Sequence, residues 1–207
     1  MTTKEFIAIE KVLLADLPHF VIKGALLFRR PIKEILCGIA FDRSGDKASF
    51  YVWYFATPAC VPSKFLYFNY GRRLIVSPGR DRWEATMPDL NQELVSAIKS
   101  QAIPFLERHG TLDEFIAFAR LSTEDANAQV ALAYSLARAG QHFEAVAVID
   151  HLKSFAGATD RQWVRDLVEQ ALGLRTLLAN EPARALQQLK EWEGETLHNL
   201  GLSAYRR

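Results

Sequence analysis

An α+β fold is predicted. An N-terminal helix packs on a mostly antiparallel sheet over residues 1–87, and an all-helical half follows over 88–207, a stack of about three antiparallel helix pairs. Three observations predict it. Apolar residues recur at helical spacing near the start. Aromatic and β-branched runs, broken by turn residues, fill positions 20–83. After Pro88 the apolar pattern is helical throughout.

Phe6, Ile7, Ile9, Val12, Leu13, Leu14 and Leu17 cover one face of a helix over 3–17, which Pro18 ends. Glu5 and Glu10 interrupt this segment, so it reads as an amphipathic helix and not as a signal peptide. Strands are expected near 21–29, 33–42, 48–57, 64–70 and 73–77. Arg43-Ser44-Gly45-Asp46 is short enough to join two strands as a hairpin, and Ser77-Pro78-Gly79 is a further turn. In ASFYVWYFAT, residues 48–57, nearly every side chain is aromatic or β-branched, so both faces should be covered, one of them by the first helix.

Leu90, Leu94, Ile98, Ala102 and Phe105 mark the next helix, which Pro104 should kink or split and Gly110 should end. Thr111-Leu-Asp-Glu114 spells a capping box opening another helix, with Phe115, Ile116, Phe118 and Ala119 on its buried face. Further helices are expected from about Asp125 to Ala139 with Gly140 as the left-handed stop, from Phe143 to Phe155, and from after Asp160 to Asn180. Pro182 suits the first turn of the next, and a short tail helix is expected over 195–205.

Residues 131–152 align with 171–192 at an offset of 40 without a gap. Leu132 meets Leu172, Ala133 meets Gly173, Gly140 meets Asn180, Ala145 meets Ala185, Ile149 meets Leu189 and Leu152 meets Trp192. Close packing of two helices needs a small residue where they cross, which Ala133, Gly173, Ala145 and Ala185 would supply. Gly140 and Asn180 are the residue types that best tolerate positive φ at the turn. These residues resemble the tetratricopeptide repeat, a Leu-small pair in the first helix, Gly at the turn and Ala five positions later. The resemblance spans about 125–193 and implies a helix-pair stack that binds protein partners. Gln129 stands where that family carries a large aromatic, the closing Pro is missing, and the offset exceeds the usual repeat length.

Composition narrows the function classes. About half of the 207 residues are apolar, a quarter are charged, and the net charge is +1, so nothing pulls the chain globally toward nucleic acid or anionic membrane. Residues 1–90 carry 13 Lys and Arg against 9 Asp and Glu, and residues 91–207 carry 12 against 15. The longest apolar runs are too short for a membrane span. Cys37 and Cys60 lack metal-ligand spacing and read as unpaired thiols in a reducing compartment, which points to the cytoplasm. The five histidines include no pair spaced i, i+4 with a glutamate, and no nucleophile elbow or phosphate-binding glycine loop occurs. No catalytic residue, metal ligand or cofactor site is assigned. Trp163 and Trp192 read as anchors between neighbouring hairpins.

The sharpest local feature is the basic aromatic stretch 64–82, KFLYFNYGRRLIVSPGRDR. Lys64, Tyr67, Tyr70, Arg72, Arg73, Arg80 and Arg82 are the candidate partner-binding residues. Arginine forks match the carboxylates of an acidic protein partner, whereas stacking of bases on the tyrosines is the less favoured alternative. The texture of the first half, helix and aromatic meander with the segment VWYFATP…YGRRL, loosely resembles small bacterial α+β proteins that act as immunity proteins or antitoxins. The expected function is therefore a non-enzymatic protein-interaction module, in its more specific form an immunity or regulatory protein. Nucleic-acid or phosphate-ligand binding through 64–82 is the second expectation, and an enzyme with a site between the two halves the third.

Overall fold

The computed structural model describes residues 3–15, 17–157 and 160–206. The chain divides into two compact units. One comprises Met1–Thr57, Tyr70–Gly110 and Tyr205–Arg207, and the other Pro58–Asn69 with Thr111–Ala204.

In the first unit, α1 (Thr3–Leu14) precedes the strands β1 (Phe20–Lys23), β2 (Leu26–Arg29), β3 (Ile35–Arg43), β4 (Ser49–Pro58), β5 (Gly71–Arg73) and β6 (Arg82–Glu84). The helix expected over 3–17 stops at Leu14, and position 16 lies outside the described residues. The sheet runs β1-β2-β3-β4-β5, and β6 pairs with β4 beside β5. The β1–β2, β2–β3, β4–β5 and β4–β6 ladders are antiparallel.

Several strand expectations change. The segment 21–29 is a hairpin and not one strand, because Lys23 pairs with Leu26 and Gly24 takes φ 66° in the two-residue turn. β5 ends at Arg73. Beyond it Ile75 is bonded at both its amide and its carbonyl by the side-chain amide of Gln101 (2.9 Å each), which stands in for a neighbouring strand. β6 was not expected, being only three residues long. The Ser77-Pro78-Gly79 turn forms, with the Arg80 amide donating to the Ser77 carbonyl at 2.8 Å. Segment 64–70 is no strand at all, and its residues 64–69 belong to the other unit.

The sheet core follows from strand alternation. Phe50, Val52, Tyr54 and Ala56 of β4 are buried on one face, and Ile35 through Phe41 of β3 are buried throughout. Phe6 of α1 sits 5.5 Å from the Phe41 ring and 5.6 Å from that of Phe50, so the first helix covers this face as expected. The apolar stripe after Pro88 forms α2 (Leu90–Ala97), a π-helical turn (Ile98–Ala102) and α3 (Ile103–Arg108). Pro104 enters at the start of α3, where its missing N–H costs least, and the widened turn lies just before it. Phe105 meets Tyr54 edge-on at 5.2 Å, which ties α3 to the sheet. The change in composition at residue 88 thus marks a change of secondary structure, whereas the compact unit continues to Gly110.

The second unit holds α4 (Leu112–Ala119), α5 (Ala126–Arg138), α6 (His142–Gly157), α7 (Gln162–Asn180) and α8 (Pro182–Asn199). Thr111 and Glu114 form the capping box at α4, and Asp125 caps α5 through the Ala128 amide at 2.8 Å. Consecutive helices pack on one another, and α5 also meets α7 and α8. As a result α5 is buried from Ala128 to Ala137. Arg175 of α7 forks onto Asp150 of α6 at 2.9 Å through both nitrogens, and this bond, reinforced by Lys153, holds the exposed Asp150 carboxyl below its ordinary range.

The aligned repeats are used unequally. Ala133, Ala145 and Ala185 are fully buried, as crossing positions require, and Gly140 takes φ 81° at the α5–α6 turn. Gly173 is exposed, and a β-carbon there would meet nothing within 4 Å, so it makes no close crossing. Asn180 stays helical. The α7–α8 turn is made instead by Glu181 in an extended conformation (φ −142°) followed by Pro182 at the first helical turn. Trp192 stacks on Tyr134 at 5.2 Å and 22°, but Trp163 is 48% exposed and is not a core residue. Among the described residues, no helix is long and apolar enough to cross a membrane.

Candidate partner-binding surface

The expected candidates divide between the two units. Lys64 and Tyr67 lie on the strap Pro58–Asn69 of the helical unit, and Tyr70, Arg72, Arg73, Arg80 and Arg82 belong to the sheet unit.

The strap has no strand or helix past Pro58, and Pro58 and Pro62 remove two amide donors from it. Three of its backbone groups are bonded by α8 side chains instead. The Thr196 hydroxyl accepts from the Ser63 amide (3.2 Å) and donates to the Val61 carbonyl (3.1 Å), and Asn199 Nδ2 donates to the Ser63 carbonyl (3.0 Å). Thr196 and Asn199 are three residues apart on one helix, so they share a face and reach the same short length of chain. At the tip, the Ser63 hydroxyl donates to the Phe65 carbonyl. Ala59 and Cys60 are buried, Cys60 near Tyr134 of α5. Burial first, and the neighbouring thiol second, push the Tyr134 phenol well above its ordinary range.

The far side of the strap faces water. Lys64 is exposed, Phe65 is 67% exposed and Tyr67 55% exposed. Isolated exposed apolar residues are ordinary. Two large aromatics just after a lysine, on a loop fixed by three side-chain-to-backbone bonds, are the composition of an interface anchor.

The sheet-unit candidates are more fully engaged. Tyr70 is buried and cannot stack a base or meet a partner. The reason is its place beside β4, where its carbonyl accepts from the Ala56 amide at 3.3 Å. Arg73 pairs opposite Trp53, and its guanidinium lies 4.1 Å from the centre of the Tyr51 ring and 4.8 Å from that of Trp53. It also bonds Asp81 at 2.8 Å. Arg80 bonds Glu84 at 2.6 Å. Arg72 is exposed and lies 5.7 Å from the Phe105 ring centre, and Arg82 is exposed opposite Tyr51. The +5 run of the sequence is thus partly neutralised within the fold, and its tyrosines do not form one stacking platform.

Among the described residues no group of three His, Cys, Asp or Glu side chains is placed to hold a metal ion. An open depression of about 480 Å³ is lined by Ala85, Asp89, Leu90, Asn91 and Gln92, which supply no nucleophile with a base.

Phe65, Thr196 and Asn199 were not among the expected site residues. Two signals pointed to the strap. Prolines bracket its first turn, and no Asp or Glu occurs between Asp46 and Asp81. Thr196 and Asn199 carry no local signal, since their role depends on a contact more than 130 residues away. No protein-family model, curated protein or solved structure matches this chain.

Proposed function

We propose that this chain is a non-enzymatic protein-interaction protein whose docking element is the strap tip Lys64–Tyr67. The observation that carries this reading is the exposure of Phe65 and Tyr67 on a backbone tied to α8. The helical unit, in this reading a tetratricopeptide-like stack, supplies the rigid mount. The partner has an acidic surface around an apolar recess, since the strap carries a lysine immediately before its exposed aromatics and no acidic residue. Its setting is the cytoplasm, in keeping with two buried cysteines that form no disulfide. An immunity or regulatory protein that neutralises its partner fits this mode, because such proteins act by covering a surface and need no catalytic group.

Affinity capture from lysate of the native host, comparing the wild-type chain with Phe65→Ala/Tyr67→Ala, tests the reading. Truncating two interface aromatics typically costs about 2–4 kcal/mol of binding, so at least a tenfold loss of the specifically captured protein is expected. Equal recovery by both chains would refute it.

A further inference from the structure

Backbone groups in a loop must find partners, and the strap finds them in two side chains of one helix. Thr196 is nearly fully buried and uses its hydroxyl twice, as acceptor from the Ser63 amide and as donor to the Val61 carbonyl. Asn199, one turn further on and exposed, adds the bond to the Ser63 carbonyl. Together they bond both backbone polar groups of Ser63 and the carbonyl of Val61, contacts that do not depend on the side chains of the gripped segment.

We infer that this α8 face is a backbone-binding surface whose occupant is the protein's own segment Val61–Ser63, and that Thr196 and Asn199 are positioning residues for the aromatic tip next to it. Neither touches the partner. Their effect is to remove conformational freedom from the strap before binding, so that ordering is not deducted from affinity at the moment of contact. The covalent tether keeps the local concentration of the segment far above what a free peptide reaches, so the face stays filled by its own chain. The helical unit then works as a stand for its loop and not as an open groove. The inference rests on the function proposed above for Phe65 and Tyr67.

The test uses the full-length chain and three variants: Thr196→Val/Asn199→Ala, Asn199→Ala alone, and Thr196→Ser. Hydrogen exchange and chymotrypsin, which cuts after exposed aromatics, report the strap directly. The double variant is expected to exchange at least tenfold faster over residues 60–68 and to be cut at least tenfold faster after Phe65 and Tyr67, with exchange in α5 through α7 unchanged. Asn199→Ala is exposed and carries little folding risk, and it should show a smaller shift in the same direction. Thr196→Ser keeps the hydroxyl and should behave as wild type. Capture of the protein retained by wild type should fall at least tenfold for the double variant and recover with Thr196→Ser. Unchanged exchange and cleavage in the double variant would overturn the inference. So would unchanged capture by it where Phe65→Ala/Tyr67→Ala loses the partner, and that outcome would leave the proposed function standing. Unchanged capture by Phe65→Ala/Tyr67→Ala would overturn the function itself and the inference with it.

Discussion

Glu10→Gln is expected to stabilise the protein by several kcal/mol at pH 8 and to flatten its pH dependence. Glu10 is 0% exposed, and among the described residues neither carboxylate oxygen has a hydrogen-bond partner. Loss of water without compensation disfavours the charged form, and burial raises the Glu10 pKa from its ordinary 4.5 to about 8. Below pH 4.5 the carboxyl is protonated in both folded and unfolded chains, and its contribution to stability is fully present. As pH rises from 4.5 toward 8, the unfolded chain gives up a proton that the folded chain keeps, so stability declines. The decline is at most about 1.4 kcal/mol per pH unit, a total on the order of 4 kcal/mol. Glutamine has the same shape and does not titrate. Urea denaturation at pH 5 and pH 8.5 measures the effect. Parallel profiles for the two chains would show that Glu10 is solvated or paired after all.

The second large effect is at Trp83. Trp83→Ala is expected to cost about 3–5 kcal/mol. The indole is buried, faces Phe50 across the β4–β6 ladder, and its Nε1–H donates to the Leu74 carbonyl at 3.1 Å. It therefore fastens β6 to the chain just past β5 while filling the sheet core. Trp83→Phe should cost less, but still leave the Leu74 carbonyl short of a buried donor, a penalty of about 1–3 kcal/mol. Urea denaturation followed by circular dichroism measures both. A loss below about 1 kcal/mol for Trp83→Ala would mean that the core closes around the gap.

Helix boundaries were legible where local chemistry sets them. The Thr111–Glu114 box, Gly140 and Pro182 act within a single turn, and each sits where its residue type predicts. Strand edges were less legible. KFLYFNY has the composition of a strand, yet residues 64–69 run as a strap whose chain α8 holds just upstream, at Val61 and Ser63, a tertiary fact with no local trace. Burial of like residues diverges for the same reason. Tyr67 and Tyr70 are three residues apart and were read alike, but one faces water and the other packs beside β4. Glu10 was read as the polar side of an amphipathic helix, and the fold buries it. Repeat alignment equated Gly173 with Ala133, but only the alanine lies in a tight crossing. The arginines were visible as a charge run, and their neutralisation by Asp81 and Glu84 depends on the β6 pairing that a three-residue strand conceals.

Site-specific photocrosslinking in cells of the native host tests the central claim most directly. A photoreactive phenylalanine analogue would replace Phe65 in one chain and Phe143 in another, the latter being 89% exposed at the start of α6 and remote in sequence from the strap. A discrete protein adduct from position 65, absent from position 143, is the expected result. No adduct at 65, or the same adducts from both positions, would contradict a docking role for the strap tip.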